Sequence, residues 1–309
     1  MLFHDCENYP TFRPGGTYMR CDPRYLEDLK WFGINIVGTA NNHSYDYGEG
    51  GILTNLDALH EYGIPYAGTG EHMGDASNPV YMDTANGRVA LIAATSSGPI
   101  AGRAGEQRRD IKGRPGSNYV RFEQYWEVDR QALEALRSVA DSLGWTKTAN
   151  EHRRAGRGNL PAESPEEVLF LDHGMYADDS FSRFVAAEAF EKHSRINASD
   201  LERQIRSVRD AARMADWVLF TIHNHEGGLT VDEPGDHIVE LAHAVIDAGA
   251  HAFVGHGPHQ DRGIEIYKGR PIFLQPRRLH APERRCGTGA ARQFRAGGSG
   301  LGIDRRRLL

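Results

Sequence analysis

Cysteine is almost absent from this chain: Cys6, Cys21 and Cys286 are the three it has in 309 residues, too few and too scattered for a disulfide framework or a Cys-rich zinc site. Long apolar runs are missing too. No stretch approaches the ~18 residues that a bilayer span requires, and no basic segment followed by an apolar one stands at the N-terminus. Nor is positive charge in excess. A formal net charge of −6 and a pI near 6.2 argue against a dedicated nucleic-acid binder, which carries a basic face. As written, the chain reads as soluble and cytoplasmic, with no nucleic-acid partner and no transmembrane segment.

With 39% hydrophobic residues, the chain is long enough to bury a full core. Its organisation alternates strand and helix. Ile52, Leu53, Leu56 and Leu59 make one helical face that Gly63 and Pro65 close, and Val89–Ala94 reads as a strand. The segment from Pro99 to Gly116, rich in Gly and Arg, reads as a surface loop. Leu133, Leu136, Val139, Ala140 and Leu143 mark an amphipathic helix over 129–143. The polar stretch 144–165 lacks periodicity and reads as a mobile insertion. Ser199 is the expected N-cap of a helix running to about Ala215, and 236–248 is a further helix. Strand, helix and strand in this order imply parallel pairing in a layered α/β fold.

Three strand-like runs end at clusters of histidine and asparagine. Ile34–Ala40 runs into Asn41, Asn42, His43 and Ser44. Trp217–Ile222 runs into His223, Asn224, His225 and Glu226, and Ala252–Gly255 into His256, Gly257, Pro258 and His259. Ligands of open α/β sheets collect outside the carboxyl ends of strands, so three such ends can share one site. Five of the 15 histidines lie in these segments, and imidazole with amide or carboxylate oxygen suits Zn, Mn or Fe. Adjacent Asn42 and His43 cannot face one ion from an extended chain. That implies an amide on the metal and an imidazole on the substrate. His223 and His225, two apart, fall on one side of a strand. Gly257 narrows and Pro258 stiffens the turn between His256 and His259.

The runs Ala40–Gly48, Ala215–Glu226, Asp247–His259, Gly263–Tyr267 and Gly269–Phe273 together resemble the capsule-synthesis CapA family of the calcineurin-like metallophosphoesterase superfamily. That resemblance implies an α/β fold, a metallophosphoesterase-like layered β-sandwich flanked by helices. It implies two divalent ions (Mn, Fe or Zn) in the intact family member, a small-molecule or polymer substrate, and the capsule-synthesis machinery as a partner. Matched by motif, Asn42, His223, His256 and His259 are expected metal ligands, and His43 is expected to face the leaving oxygen. Asp46, His225 and Glu226 are expected near the catalytic centre without a defined role, Asp46 having the alternative of capping the helix that follows it.

The resemblance breaks at both ends. The family's opening strand ends in Gly-Asp and a later one in Asn-Leu-Glu, whereas Met1–Pro10 resembles the segment directly after the latter. The fold is therefore expected to lack its N-terminal strand and those carboxylate ligands. After Phe273 the family's Tyr-Ser-Leu-Gly-Asp-Phe is replaced by Leu274-Gln275-Pro276-Arg277-Arg278-Leu279, and one inserted base converts the one into the other. Hence residues 1–273 are expected to form the CapA-like domain and 274–309 a frame-shifted, disordered tail. Two other readings follow: a non-catalytic capsule-assembly or ligand-binding component, and an inactive fragment of a damaged gene.

Overall fold

The computed structural model describes residues 2–4, 9–12, 17–156, 160–162, 164–171, 181–230 and 232–274, all within one unit spanning 1–277. The expected tail lies outside the described residues from 275 onward. Leu274 itself is 9% exposed and packs in the main core.

A six-stranded mixed sheet organises the molecule. Numbering only the elements used below, β1 (Val37–Gly38) and β2 (Tyr66–Ala67) form a short parallel ladder, and β3 (Val80–Thr84) and β4 (Gly87–Thr95) an antiparallel pair. A four-stranded sheet holds β5 (Phe122–Val128), β6 (Glu167–Leu171), β7 (Phe181–Ala186) and β8 (Glu191–Ile196). The main sheet is completed by β9 (Trp217–His223), β10 (Ala252–His256), β11 (Ile264–Tyr267) and β12 (Arg270–Phe273), in the order β11-β12-β10-β9-β4-β3. Its four central strands β12, β10, β9 and β4 are parallel. Five helices matter here: α1 (Gly48–Glu61), α2 (Arg130–Ser142), α3 (Trp145–Arg154), α4 (Ala198–Ala212) and α5 (Asp236–Ala248).

Strand periodicity sets which face each residue of β9 meets. Val218, Phe220 and Ile222 are fully buried on the face covered by α4 and α5, together with Val208, Ala211, Ile238, Leu241 and Val245. Phe220 stacks on Phe253 of β10 with ring centroids 5.8 Å apart. Burying such a ring completely is worth about 1.5–3 kcal/mol. The alternate residues Leu219, Thr221 and His223 face the β1–β2 ladder. A Cβ at Gly38 would stand 3.3 Å from Ala93 Cβ and 3.4 Å from Thr221 Cγ2, so the ladder lies close against the sheet, with the chain leaving β1 directly above the ends of β4 and β9.

Three local expectations change. The run 34–40 contributes two strand residues, not seven, and pairs in the small ladder, because Ile34 is exposed and only the Val37–Gly38 segment meets a partner. The stretch 144–165 contains α3, whose Trp145 packs against the second sheet's core of Val128, Leu133, Ala140 and Val168 and whose Ala149 is 2% exposed. Finally, α4 starts at Asn197, not Ser199: Asn197 Oδ1 accepts from Asp200 N at 3.2 Å. Among the described residues no helix is long and apolar enough to cross a membrane.

Candidate functional site

Register brings two of the three clusters together. His223 is the Cα partner of His256 on one side and of Thr95 on the other, so the ends of β4, β9 and β10 stand in one row. Parallel neighbours in register turn equivalent side chains to one face. His223 Nδ1 lies 3.1 Å from His256 Nδ1, and its Nε2 lies 3.0 Å from His225 Nε2. His225 in turn meets His259, with ring centroids 5.3 Å apart. The order of contact is therefore His256, His223, His225, His259.

Three neutral rings, each with one N–H, can fill both nitrogen contacts with one donor and one acceptor apiece. Burial is the main force keeping them neutral. It drives His223 down to about 3, helped by the neighbouring His256, His225 and His43, and it lowers His256 and His225 in the same sense. Neutral imidazole is the state that binds metal.

His43 arrives from the other layer, on the turn after β1. A Cβ at Gly98, whose φ is 115°, would stand 3.1 Å from Asn42 Cα, so the loop after β4 carries that turn and half-buries Asn42. His43 Nδ1 lies 2.8 Å from Asp46 Oδ2, which also accepts from Met19 N at 2.8 Å. A carboxylate only accepts, so the ring proton sits on Nδ1 and the lone pair on Nε2. Asp46 does not cap α1: the residue at that cap is Tyr47, with no side-chain bond to the helix.

Glu226 is held by the two serines that follow β4. Its two oxygens accept from Ser96 Oγ at 2.6 Å and Ser97 Oγ at 2.7 Å, and Ser97 Oγ also accepts from His225 N at 2.7 Å. Ser96 and Ser97 were not singled out from the sequence. The signal available was their position directly after β4, the strand adjoining β9. Asn224, fully buried with Oδ1 lacking a partner among the described residues, anchors the same loop, its N–H donating to His256 O at 2.7 Å.

The strand ends thus present nitrogen donors in pairs. Among the described residues, the group with three His or carboxylate donors mutually within 4.8 Å is Glu127, Glu191 and His193, on β5 and β8, and it could hold a metal ion. It is partly exposed and lies on the other sheet.

Comparison with known proteins agrees with the motifs. The chain matches the family "Bacterial capsule synthesis protein PGA_cap" over residues 5–274. It belongs to that family. It is 37% identical over 281 residues to the uncharacterized protein y4sH of Sinorhizobium fredii, covering 91% of this chain and 56% of that protein. It is also 22% identical over 276 residues to the capsule biosynthesis protein CapA of Bacillus anthracis, covering 88% and 46%. A 75-residue stretch is 39% identical to the PGA biosynthesis protein CapA of Bacillus subtilis, covering 24% of this chain and 19% of that protein. The chain spans about half the length of the relatives it matches along most of its course.

Proposed function

We propose that residues 1–273 form a CapA-like domain of capsule or poly-γ-glutamate synthesis, a metallophosphoesterase-like layered sandwich with a metal-dependent, phosphoesterase-like site at the ends of β4, β9 and β10. The observation that carries this reading is the paired register of His223 and His256, whose nitrogens stand 3.1 Å apart. Two ligands that each lie ~2.0–2.1 Å from one Zn are separated by about this distance. The printed names of the Bacillus relatives support the capsule assignment.

Paired imidazoles, His223 with His256, would hold one divalent ion (Mn, Fe or Zn), and Asn42 and His259 are the further ligands that the family motif implies. A bound ion of this kind polarises a phosphoryl oxygen and lowers the pKa of bound water. His43 presents Nε2 to the substrate, and in the protonated ring that nitrogen gives its proton to a leaving oxygen. Asp46 holds the ring in that orientation, as carboxylates behind imidazoles do. Glu226, through Ser96 and Ser97, fixes the loop bearing His225. The substrate, a small molecule or a polymer, meets the domain beside the capsule-synthesis machinery.

The test is metal content together with turnover. After dialysis against Mn, Zn or Fe, elemental analysis is expected to find at most one retained ion per chain, with Glu191→Gln removing the second-sheet group from the count. His256→Ala is expected to weaken retention at least tenfold, and His43→Ala to lower bis(p-nitrophenyl) phosphate hydrolysis by ~10²–10⁴-fold, the worth of a general acid. Ion retention without turnover turns the reading to a ligand-binding capsule component. Neither ion nor turnover leaves an inactive fragment.

A further inference from the structure

Asp200, in the first turn of α4, is 0% exposed and is surrounded by three guanidinium groups. Arg203 Nη1 donates to it at 2.6 Å, Arg121 Nε at 2.8 Å and Arg103 Nη2 at 3.4 Å. Three positive charges and one negative leave these four side chains at +2.

The surplus falls on Arg103. Arg121 also donates to Asn197 Oδ1 and Ser199 Oγ at 3.2 and 3.3 Å, and Arg203 to Tyr119 O at 2.8 Å. Arg103, a fork of five N–H donors, has only its long contact with Asp200, and its Nε is buried without a partner among the described residues. The side chain is 24% exposed, so little water replaces what is missing. Burial depresses its pKa; Asp200 opposes this, the facing Arg121 and Arg203 add to it, and Glu106 opposes it weakly. The flanking segment repeats the sign: Arg103, Arg108, Arg109, Lys112 and Arg114 stand against Glu106 and Asp110 in a chain whose formal net charge is −6. Arg114 Nη2 is bonded to Arg103 O at 2.8 Å.

We propose that Arg103, with Arg203 beside it, forms a binding site for a tetrahedral dianion, a phosphate group. Arg103 and Arg203 offer two guanidinium charges to one ligand, and a dianion meets both where a monocarboxylate meets one. A guanidinium also bonds phosphate oxygens two at a time. The site flanks the histidine cluster without using it. Arg103 follows Gly102, where a Cβ would stand 2.8 Å from Tyr45 Cβ in the turn that carries Asn42 and His43. Tyr119, whose carbonyl holds Arg203, donates its hydroxyl to Gly98 O at 3.1 Å. This inference goes beyond the metal reading and stands whether or not the imidazoles hold an ion.

The experiment is calorimetric titration of chelator-treated, metal-free protein with inorganic phosphate near pH 8, where the dianion dominates. Saturable one-to-one binding is expected, at least tenfold weaker in Arg103→Gln and intermediate in Arg103→Lys, which keeps the charge but not the fork. Acetate is expected to bind at least tenfold more weakly than phosphate. Without phosphate, Arg103→Gln is expected to melt at or above the wild-type temperature, since it removes a half-buried cation facing two like charges; adding phosphate raises the melting point of the wild type only. No saturable phosphate binding, equal binding by the Gln variant, or acetate as tight as phosphate overturns the proposal. A fall in the melting point of Arg103→Gln without phosphate makes Arg103 an ordinary structural ion-pair partner and overturns it as well.

Discussion

Ser97 joins the strand-end histidines to the sheet, and its removal tests whether the site is held as tightly as its geometry implies. The side chain is 6% exposed, and one oxygen serves two bonds: it donates to Glu226 Oε1 and accepts from His225 N, both at 2.7 Å. Ser97→Ala removes both and leaves a half-buried carboxylate oxygen and a backbone N–H without their partners. Each such loss costs about 1–3 kcal/mol when the group stays dry, and water reaching the exposed His225 loop lowers the sum, so a stability loss of about 1–3 kcal/mol in all is expected. Because Ser97 orients the backbone of His225, which abuts His223, divalent-metal affinity is expected to fall ~10–100-fold, as for other residues placed behind ligands. Denaturant melts, zinc titration against a competing chelator, and hydrogen exchange at the His225 amide read the three effects separately. Faster exchange with lower stability but unchanged zinc affinity refutes the positioning role. Unchanged exchange refutes the hydrogen bond itself.

The main sheet was legible because its central strands are short, nearly continuous apolar runs with turn residues at both ends. In β9, Val218, Phe220 and Ile222 face the helices and Leu219 the other layer, and cover on both faces is what makes such a run apolar throughout. The helices over 130–142 and 236–248 were equally readable from their apolar faces, and the one over 198–212 from the capping and acidic residues at its start. Over 34–40, apolar content alone cannot distinguish a full strand from a two-residue ladder with exposed flanks such as Ile34. The helix at 145–154 is hard to read from sequence because its apolar stripe is narrow, with Trp145 on the second core and Ala149 buried. Ser199 and Asn197 are both good caps in isolation. Which one serves depends on Arg121, whose bonds to Asp200 and Asn197 tie the start of α4 to a residue nearly eighty positions away.

At the candidate site, the sequence carries residue type and strand position but not pairing. That His223 would stand opposite His256 depends on ladder register, and register comes from the packing of the whole sheet. The partnership of His43 with Asp46 is a short-range i,i+3 contact and was within reach of sequence reasoning. The two serines behind Glu226 were not: their role exists only because β4 and β9 are neighbours.

Two further substitutions probe the scaffold around these groups. Gly257 has φ 125°, and a Cβ there would stand 2.5 Å from Asn224 O, so Gly257→Ala is expected to cost more than ~1 kcal/mol and to displace His256 and His259; unchanged denaturant stability with unchanged metal retention removes that argument. Asp200→Asn is expected to cost roughly 3–5 kcal/mol, because it leaves three guanidinium groups without their buried counter-charge. Its pH dependence follows from the sign of the shift. Burial alone would raise the pKa of this carboxyl, but hydrogen bonds from Arg121 and the charge and bonds of Arg203 outweigh it and hold the folded value below the ordinary one. Stability from the ionised form is then fully present above the unfolded value of about 3.9. It is lost as pH falls from there through the lower folded value. Wild-type protein should therefore lose stability steeply over that acid window, and the Asn variant should lack this group's share of the slope, so that the gap between the two narrows as pH falls. A gap that stays constant from neutral pH into the acid limb means that Asp200 is not the ionised hub of the cluster, and a gap below about 1 kcal/mol at neutral pH places the pair among exposed ion pairs, which contribute little.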